Sequence, residues 1–141
     1  MKKMGLDLGN RTLGIAISDA EGRLARGLET VRFEMGDHEK PLGRLSEILA
    51  THDVDVMVLG LPKNMDNSLG EQAEKVLHFK TLLVERFAQQ VVLQDERLST
   101  RFAEQLMRLG NKQRKKRKQT IDQEAAAVIL QSYLDANKQE V

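Results

Sequence analysis

Apolar positions along the chain follow one period in its first third and another afterwards, and the change marks out the elements. Met4 to Leu8 is a short apolar-rich run closed by the turn signal Gly9-Asn10. Thr12 to Ser18 is a second such run, and Asp19-Ala20-Glu21-Gly22 supplies the next turn before a third strand from Leu24 to Phe33. Two short turn-linked joints in succession predict an antiparallel meander. After Pro41, Leu42, Leu45, Ile48 and Leu49 recur at helical spacing as far as Ala50. Val54, Val56, Val58 and Leu59 then read as a buried strand ended by Gly60, followed by a loop over Leu61–Asn67. Ser68 with Glu71 has the spacing of a capping box, leading a helix whose face is Ala73, Val76, Leu77, Leu83 and Phe87.

Val91 to Gln94 is a fifth strand, with Asp95-Glu96-Arg97 at its end. Ser99 or Thr100 caps a predicted helix carrying Phe102, Ala103, Leu106 and Met107 to about Gly110. A basic stretch follows as a loop or linker, and Thr120 with Gln123 caps a last helix with the face Ala126, Ile129, Leu130 and Tyr133. Strands delivered by helical crossovers lie parallel, so the order β-β-β-α-β-α-β-α-α predicts an α/β fold with a mixed five-stranded sheet. Three strands are antiparallel and two parallel, with helices on both faces. That order is the RNase H-like topology. With 141 residues, no internal repeat and no Pro/Ser-rich linker, residues 1–141 are expected to form a single domain.

Three carboxylates stand where such a fold can gather them. Asp7 lies inside the first strand between Leu6 and Leu8, so it points to the opposite face from them. A carboxylate near a core needs a cation, a metal or strong hydrogen bonds. Glu96 is expected just past the carboxyl end of a strand, where open α/β sheets place their ligands. Asp122 falls in the first turn of the predicted last helix, where the helix dipole favours an anion. Taken singly, Asp122 also suits a plain helix terminus, and Glu96 a surface pair with Arg97 or Arg101. Together the three meet the needs of two-metal phosphodiester cleavage, in which Mg2+ or Mn2+ takes oxygen ligands and two ions sit about 4 Å apart. His38, His52 and His78 show no ligand spacing.

Charge adds a location for the partner. The net charge is +1, but Lys112 to Lys118 carries six positive charges, which leaves the remainder of the chain at −5. A mildly acidic body with one dense cationic segment suits an edge that meets phosphates, although a solvated tail has the same composition. Lys63, in the loop after the buried strand, is placed to hold a backbone phosphate as a point charge. Gly9 would let a phosphate or a metal-bound water approach beside Asp7, though a plain hairpin turn also accounts for it. One Tyr and four Phe leave little for base stacking, so the backbone is the expected target. The absence of cysteine excludes disulfides, thiolate zinc sites and a cysteine nucleophile. No apolar run approaches the ~18 residues of a membrane span, and no secretory apolar region follows the N-terminal lysines, so a soluble cytoplasmic protein is expected.

Four blocks, taken together, resemble the YqgF family of Holliday-junction resolvases and pre-16S rRNA nucleases, which have an RNase H-like fold. They are Gly5 to Asp19, Gly60-Leu61-Pro62 with Gly70, Asp95-Glu96-Arg97-Leu98-Ser99-Thr100, and Ile121-Asp122-Gln123-Glu124-Ala125-Ala126. Ser99 stands where the family pattern has Thr, which keeps the hydroxyl. The resemblance implies that Asp7, Glu96 and Asp122 are metal-binding catalytic acids. It implies that Arg11, Arg97 and the basic segment with Lys115, Lys116, Arg117 and Lys118 lie near nucleic acid. It further implies a role in maturing the 5′ end of small-subunit ribosomal RNA, with branched DNA as the other substrate. Contact with the small ribosomal subunit and a monomeric or homodimeric state accompany that role. Two rivals differ in kind. The sugar-kinase and actin group also opens with Asp-x-Gly and a hairpin, but needs a second equivalent domain. A ribosome-maturation factor that binds nucleic acid without catalysis would keep the basic segment and use the acids structurally.

Overall fold

Alternation along the first strand sorts its side chains to two faces, and the other elements are layered on that division. The structure, a computed structural model, describes residues 1–63, 70–97 and 114–137, with the main chain alone at 63, 96, 97 and 114–121. Strands β1 (Lys2–Leu8), β2 (Thr12–Ser18) and β3 (Ala25–Arg32) form the antiparallel meander. Helix α1 (Glu39–Thr51) leads to β4 (Val54–Lys63), and helix α2 (Glu71–Arg86) to β5 (Gln90–Arg97). Helix α3 (Arg114–Ala136) completes the described chain. The sheet order is β3-β2-β1-β4-β5, with β1 parallel to β4 and β4 parallel to β5. This is the mixed sheet expected from the order of elements.

Met4, Leu6 and Leu8 of β1 join Leu13, Ile15 and Ile17 of β2 and Met57, Leu59 and Leu61 of β4 in one core. Leu42, Leu45 and Ile48 of α1 and Ala73, Val76, Phe79 and Leu83 of α2 close it from outside. On the opposite face the sheet's buried apolar side chains are smaller. Ala16, Val56 and Val58 meet Ala126, Ala127, Ile129, Leu130 and Leu134 of α3 there. Glycines bring this helix down onto the sheet. A Cβ built on Gly14 would run into the Asp122 carbonyl oxygen, and one on Gly5 would stand 2.6 Å from that of Ala126. One on Gly27 would be 2.8 Å from the Gln123 Cβ. Glycine inside a strand often marks such an approach of another backbone.

Several boundaries differ from the sequence reading. Strand β4 continues through Leu61-Pro62-Lys63, paired with Asp95-Glu96-Arg97, where a loop was expected. Pro62 is tolerated because the β1 ladder has already ended at Leu59, so that side of β4 needs no further donor. Helix α1 begins two residues before Pro41, whose ring fits a first turn. Helix α2 is capped by Gly70, with Glu71 as its first residue, so Glu71 does not occupy the third position of a capping box. Ser68 lies outside the described residues, as do the expected helix around Phe102 and its cap at Ser99 or Thr100. Residues 114–118 are helical rather than a linker. Lys, Arg and Gln are good helix formers, and no Gly or Pro interrupts the run from there to Ala136.

Gly14→Ala is expected to lower unfolding free energy by about 1–3 kcal/mol, since a methyl group there must displace the α3 backbone. Gly43→Ala, in α1 with open space around its would-be Cβ, is expected to raise it by roughly 0.5–1 kcal/mol. Urea denaturation of the two variants checks both signs.

Candidate functional site

Asp7 shares the α3 face of β1 with Gly5, and its register partner across the hairpin is Gly14. Because Gly14 has no side chain, the main chain of Asp122 comes down directly beside that pair. Asp7 and Asp122 are both half-buried. Burial first, and the negative charge of Asp122 second, push the Asp7 carboxyl up to about 6. Two carboxylates in each other's field, partly removed from water, form a donor set that suits a hard divalent cation. Cation binding would remove the repulsion that raises Asp7. Among the described residues, no three His, Asp or Glu side chains gather as a ligand group.

Asp122 is not in a first helical turn, as the sequence reading had it. It lies more than two turns inside α3, so the helix dipole does not account for its placement. The glycine saddle does. This signal was present in the sequence as glycines inside apolar strands at positions 5 and 14, and it was missed.

Glu96 is the penultimate residue of β5 rather than a residue beyond it, opposite Pro62 of β4. Through β4, position 96 is in the same alternation phase as position 7, two strands away and two residues further along. That is about 10 Å across the sheet and about 7 Å up it. Lys63 and Arg97 are register partners at the carboxyl end of the parallel strands. Arg11 is exposed in the β1–β2 turn. Lys115, Lys116, Arg117 and Lys118 occupy the first turns of α3. The helix runs from that basic end, over Gly14 and Gly5, down to Tyr133 and Leu134 beside Met1 and Lys3. Its basic end therefore starts about 12 Å before Asp122, on the carboxyl-edge side of the sheet.

The turn after Asp7 is fixed by α2. The Gln72 amide donates to the Leu8 carbonyl at 2.8 Å, beyond the last β1–β4 pair, and Lys75 Nζ donates to Asn10 Oδ1 at 2.9 Å. The Gly9 N–H donates to the Thr12 carbonyl at 2.8 Å. A Cβ at Gly9 would meet Thr12 Oγ1 at 2.9 Å, so a side chain there would require that hydroxyl to shift. His38 packs edge-on against Phe33 and Phe79, and His78 packs against His38.

The Asp7 shift has a consequence for stability. A carboxyl at 3.8 when unfolded and about 6 when folded holds its proton more tightly in the native state. Without metal, folding takes up a proton between those values, so stability falls as pH rises through that window. The loss is on the order of 1–3 kcal/mol, toward the lower end because solvent reaches the group. Asp7→Asn should flatten thermal stability between pH 4 and pH 6 and raise it at pH 7, as read by melting in chelator.

The family model described as RuvX, Holliday junction resolvase, matches residues 1–136. A protein of Geobacillus sp. (strain WCH70) named "Putative pre-16S rRNA nuclease" is 48% identical over 138 residues, covering 98% of this chain and 100% of that protein. One of the same name from Staphylococcus aureus (strain JH9) is 46% identical over 136 residues, covering 96% of each. Among solved structures, the fowlpox virus resolvase with Holliday junction DNA superposes with a TM-score of 0.55 at 14% identity, covering 99% of this chain and 100% of that one. RuvC of T. thermophilus, in complex with a Holliday junction substrate, superposes with a TM-score of 0.55 at 22% identity, covering 96% and 95%. At these identities the structural likeness is one of fold, and it is the RNase H-like fold. By the match over nearly its whole length, the chain belongs to the RuvX (YqgF) family.

Proposed function

We propose that the protein is a metal-dependent nuclease that hydrolyses phosphodiester bonds in structured nucleic acid, with the 5′ end of precursor 16S rRNA as its main substrate. The observation that carries this reading is the Asp7–Asp122 pair, held half-buried on one face of the sheet, where burial first and the charge of Asp122 second raise the Asp7 carboxyl. The RNA substrate is favoured by relatives at 46–48% identity named for pre-16S rRNA. The family description and the fold neighbours favour a four-way DNA junction as the second substrate.

Asp7, Asp122 and Glu96 are the residues that would hold Mg2+ or Mn2+, two ions in this reading. When bound, the cations supply an activated water and stabilisation of the leaving oxygen. The protein's own groups do the rest. Below about pH 6 protons compete for Asp7, so metal affinity and cleavage are expected to fall together as the medium is acidified. Arg11, Lys63 and Arg97 provide charge at the carboxyl edge for substrate phosphates, and Lys115, Lys116, Arg117 and Lys118 extend that charge along α3. These contacts position the backbone without reading sequence. The same reading places the protein in the cytoplasm as a single nuclease domain. Among the described residues, no helix is long and apolar enough to cross a membrane.

The test is cleavage of a labelled precursor rRNA and of a four-way DNA junction, in Mg2+, Mn2+ and chelator. Wild type should cut at least one substrate only with metal, and Asp7→Asn should lower the rate by about 10²-fold or more. Binding of both substrates without cleavage of either, by folded and metal-supplied protein, would instead identify a non-catalytic maturation factor. Replacing Lys115, Lys116 and Arg117 by Ala should weaken binding to both substrates and reduce its salt dependence.

A further inference from the structure

We propose that Arg32, on the edge strand β3, is a substrate-binding residue. With Arg11 it forms a phosphate platform that carries the nucleic-acid backbone away from Asp7 across the β2–β3 side of the sheet. The proposal rests on the nucleic-acid reading of the site and gives it a direction.

The geometry begins with strand alternation. Val31 and Phe33 are buried in the core beneath α1 and α2, so Arg32 between them points to the opposite, α3 face. Its register partner is Thr12 at the start of β2. The row below is Asp7–Gly14–Thr30, running across β1, β2 and β3. Arg32 therefore stands on the same face as Asp7, two strands over and two residues nearer the carboxyl edge. The offset is about 10 Å laterally and about 7 Å along the strands. It mirrors that of Glu96 on the other side of Asp7. A separation of roughly 12 Å, less the reach of an arginine, is the span of one or two backbone phosphates.

Arg11 extends the platform. Its carbonyl accepts the Phe33 N–H at 2.9 Å, which ties the β1–β2 turn to the end of β3 beside Arg32. Both arginines are exposed. Neither has an ion pair with another described residue. This sets them apart from Arg44, held by Glu29 at 2.7 Å, and Arg86, held by Glu39 at 2.6 Å. Two guanidinium groups without an ion pair among the described residues, next to the side from which the basic end of α3 projects, suit a polyanion.

The control is on the same strand. Arg26 is also exposed, but lies six residues away, about 20 Å, toward the amino end of β3. Binding of a fluorescent four-way DNA junction and of a structured RNA hairpin is measured in chelator from low to moderate salt. Arg32→Gln should weaken binding of both several-fold and reduce the slope of log affinity against log salt by about 0.7–0.9, the loss of one phosphate contact. Arg32→Lys should restore most of the slope, and Arg26→Gln should match wild type. Equal effects of Arg32→Gln and Arg26→Gln would mean that net charge alone acts, and would overturn the platform. So would an unchanged slope in Arg32→Gln. Binding here, with no cleavage of either substrate once Mg2+ or Mn2+ is supplied, would refute the nuclease while leaving the Arg32 result readable. No binding by wild type would refute both.

Discussion

The close seating of one helix backbone on a side-chain-free patch of the sheet is the constraint on which the site depends. At Gly14 the Asp122 carbonyl occupies space that any other residue would fill with its Cβ. Gly5, Ala16 and Gly27 continue the same patch beneath Ala126 and Gln123. Helix α3 contributes an apolar stripe of modest side chains to the second core. The precision of its height above the sheet comes from backbone contact rather than from packing of large groups. Asp122 owes its proximity to Asp7 to that height.

This arrangement places unfavourable electrostatics where a ligand can relieve them. Asp7 lies half-buried beneath Asp122 of α3, and the rise of its carboxyl toward 6, from burial first and the charge of Asp122 second, is a cost to the metal-free fold. At the other end of the same helix, five basic residues stand at the positive pole of the dipole, where cations are disfavoured. In the proposed complex both would be relieved together, the acids by a divalent cation and the basic turns by a phosphate backbone. Native structures commonly break local rules of this kind where they bind something.

Much of the fold was legible in the sequence because the two faces of the sheet differ so sharply in side-chain size. The alternation of Met4, Leu6 and Leu8 against Gly5 and Asp7 identifies β1 and aims Asp7 away from the large core. The β2 boundaries follow from its turns. Less legible were elements whose limits are set by partners. The continuation of β4 through Pro62 depends on where β1 stops pairing, and the start of α2 at Glu71, capped by Gly70, overrides a capping box that looks sound in isolation. The role of Asp122 was inferred through a helix start at Thr120. The helix begins earlier, and the true reason for Asp122's position lies in Gly14, more than a hundred residues away. Arg32 gave no local sign either, since its proposed role comes from standing two residues beyond the Asp7 row on an edge strand two strands away.

Paramagnetic broadening of backbone amide resonances by sub-stoichiometric Mn2+ tests most directly whether the helix-on-glycine contact builds a cation site. The account predicts that signals of Asp7, Gly14 and Asp122 broaden first, and that Gly14→Ala, by lifting α3, weakens the effect at all three. Broadening centred elsewhere, for instance on the exposed acids Asp19 and Asp135 at the opposite end of α3, would contradict it. So would undiminished broadening in the Gly14→Ala protein.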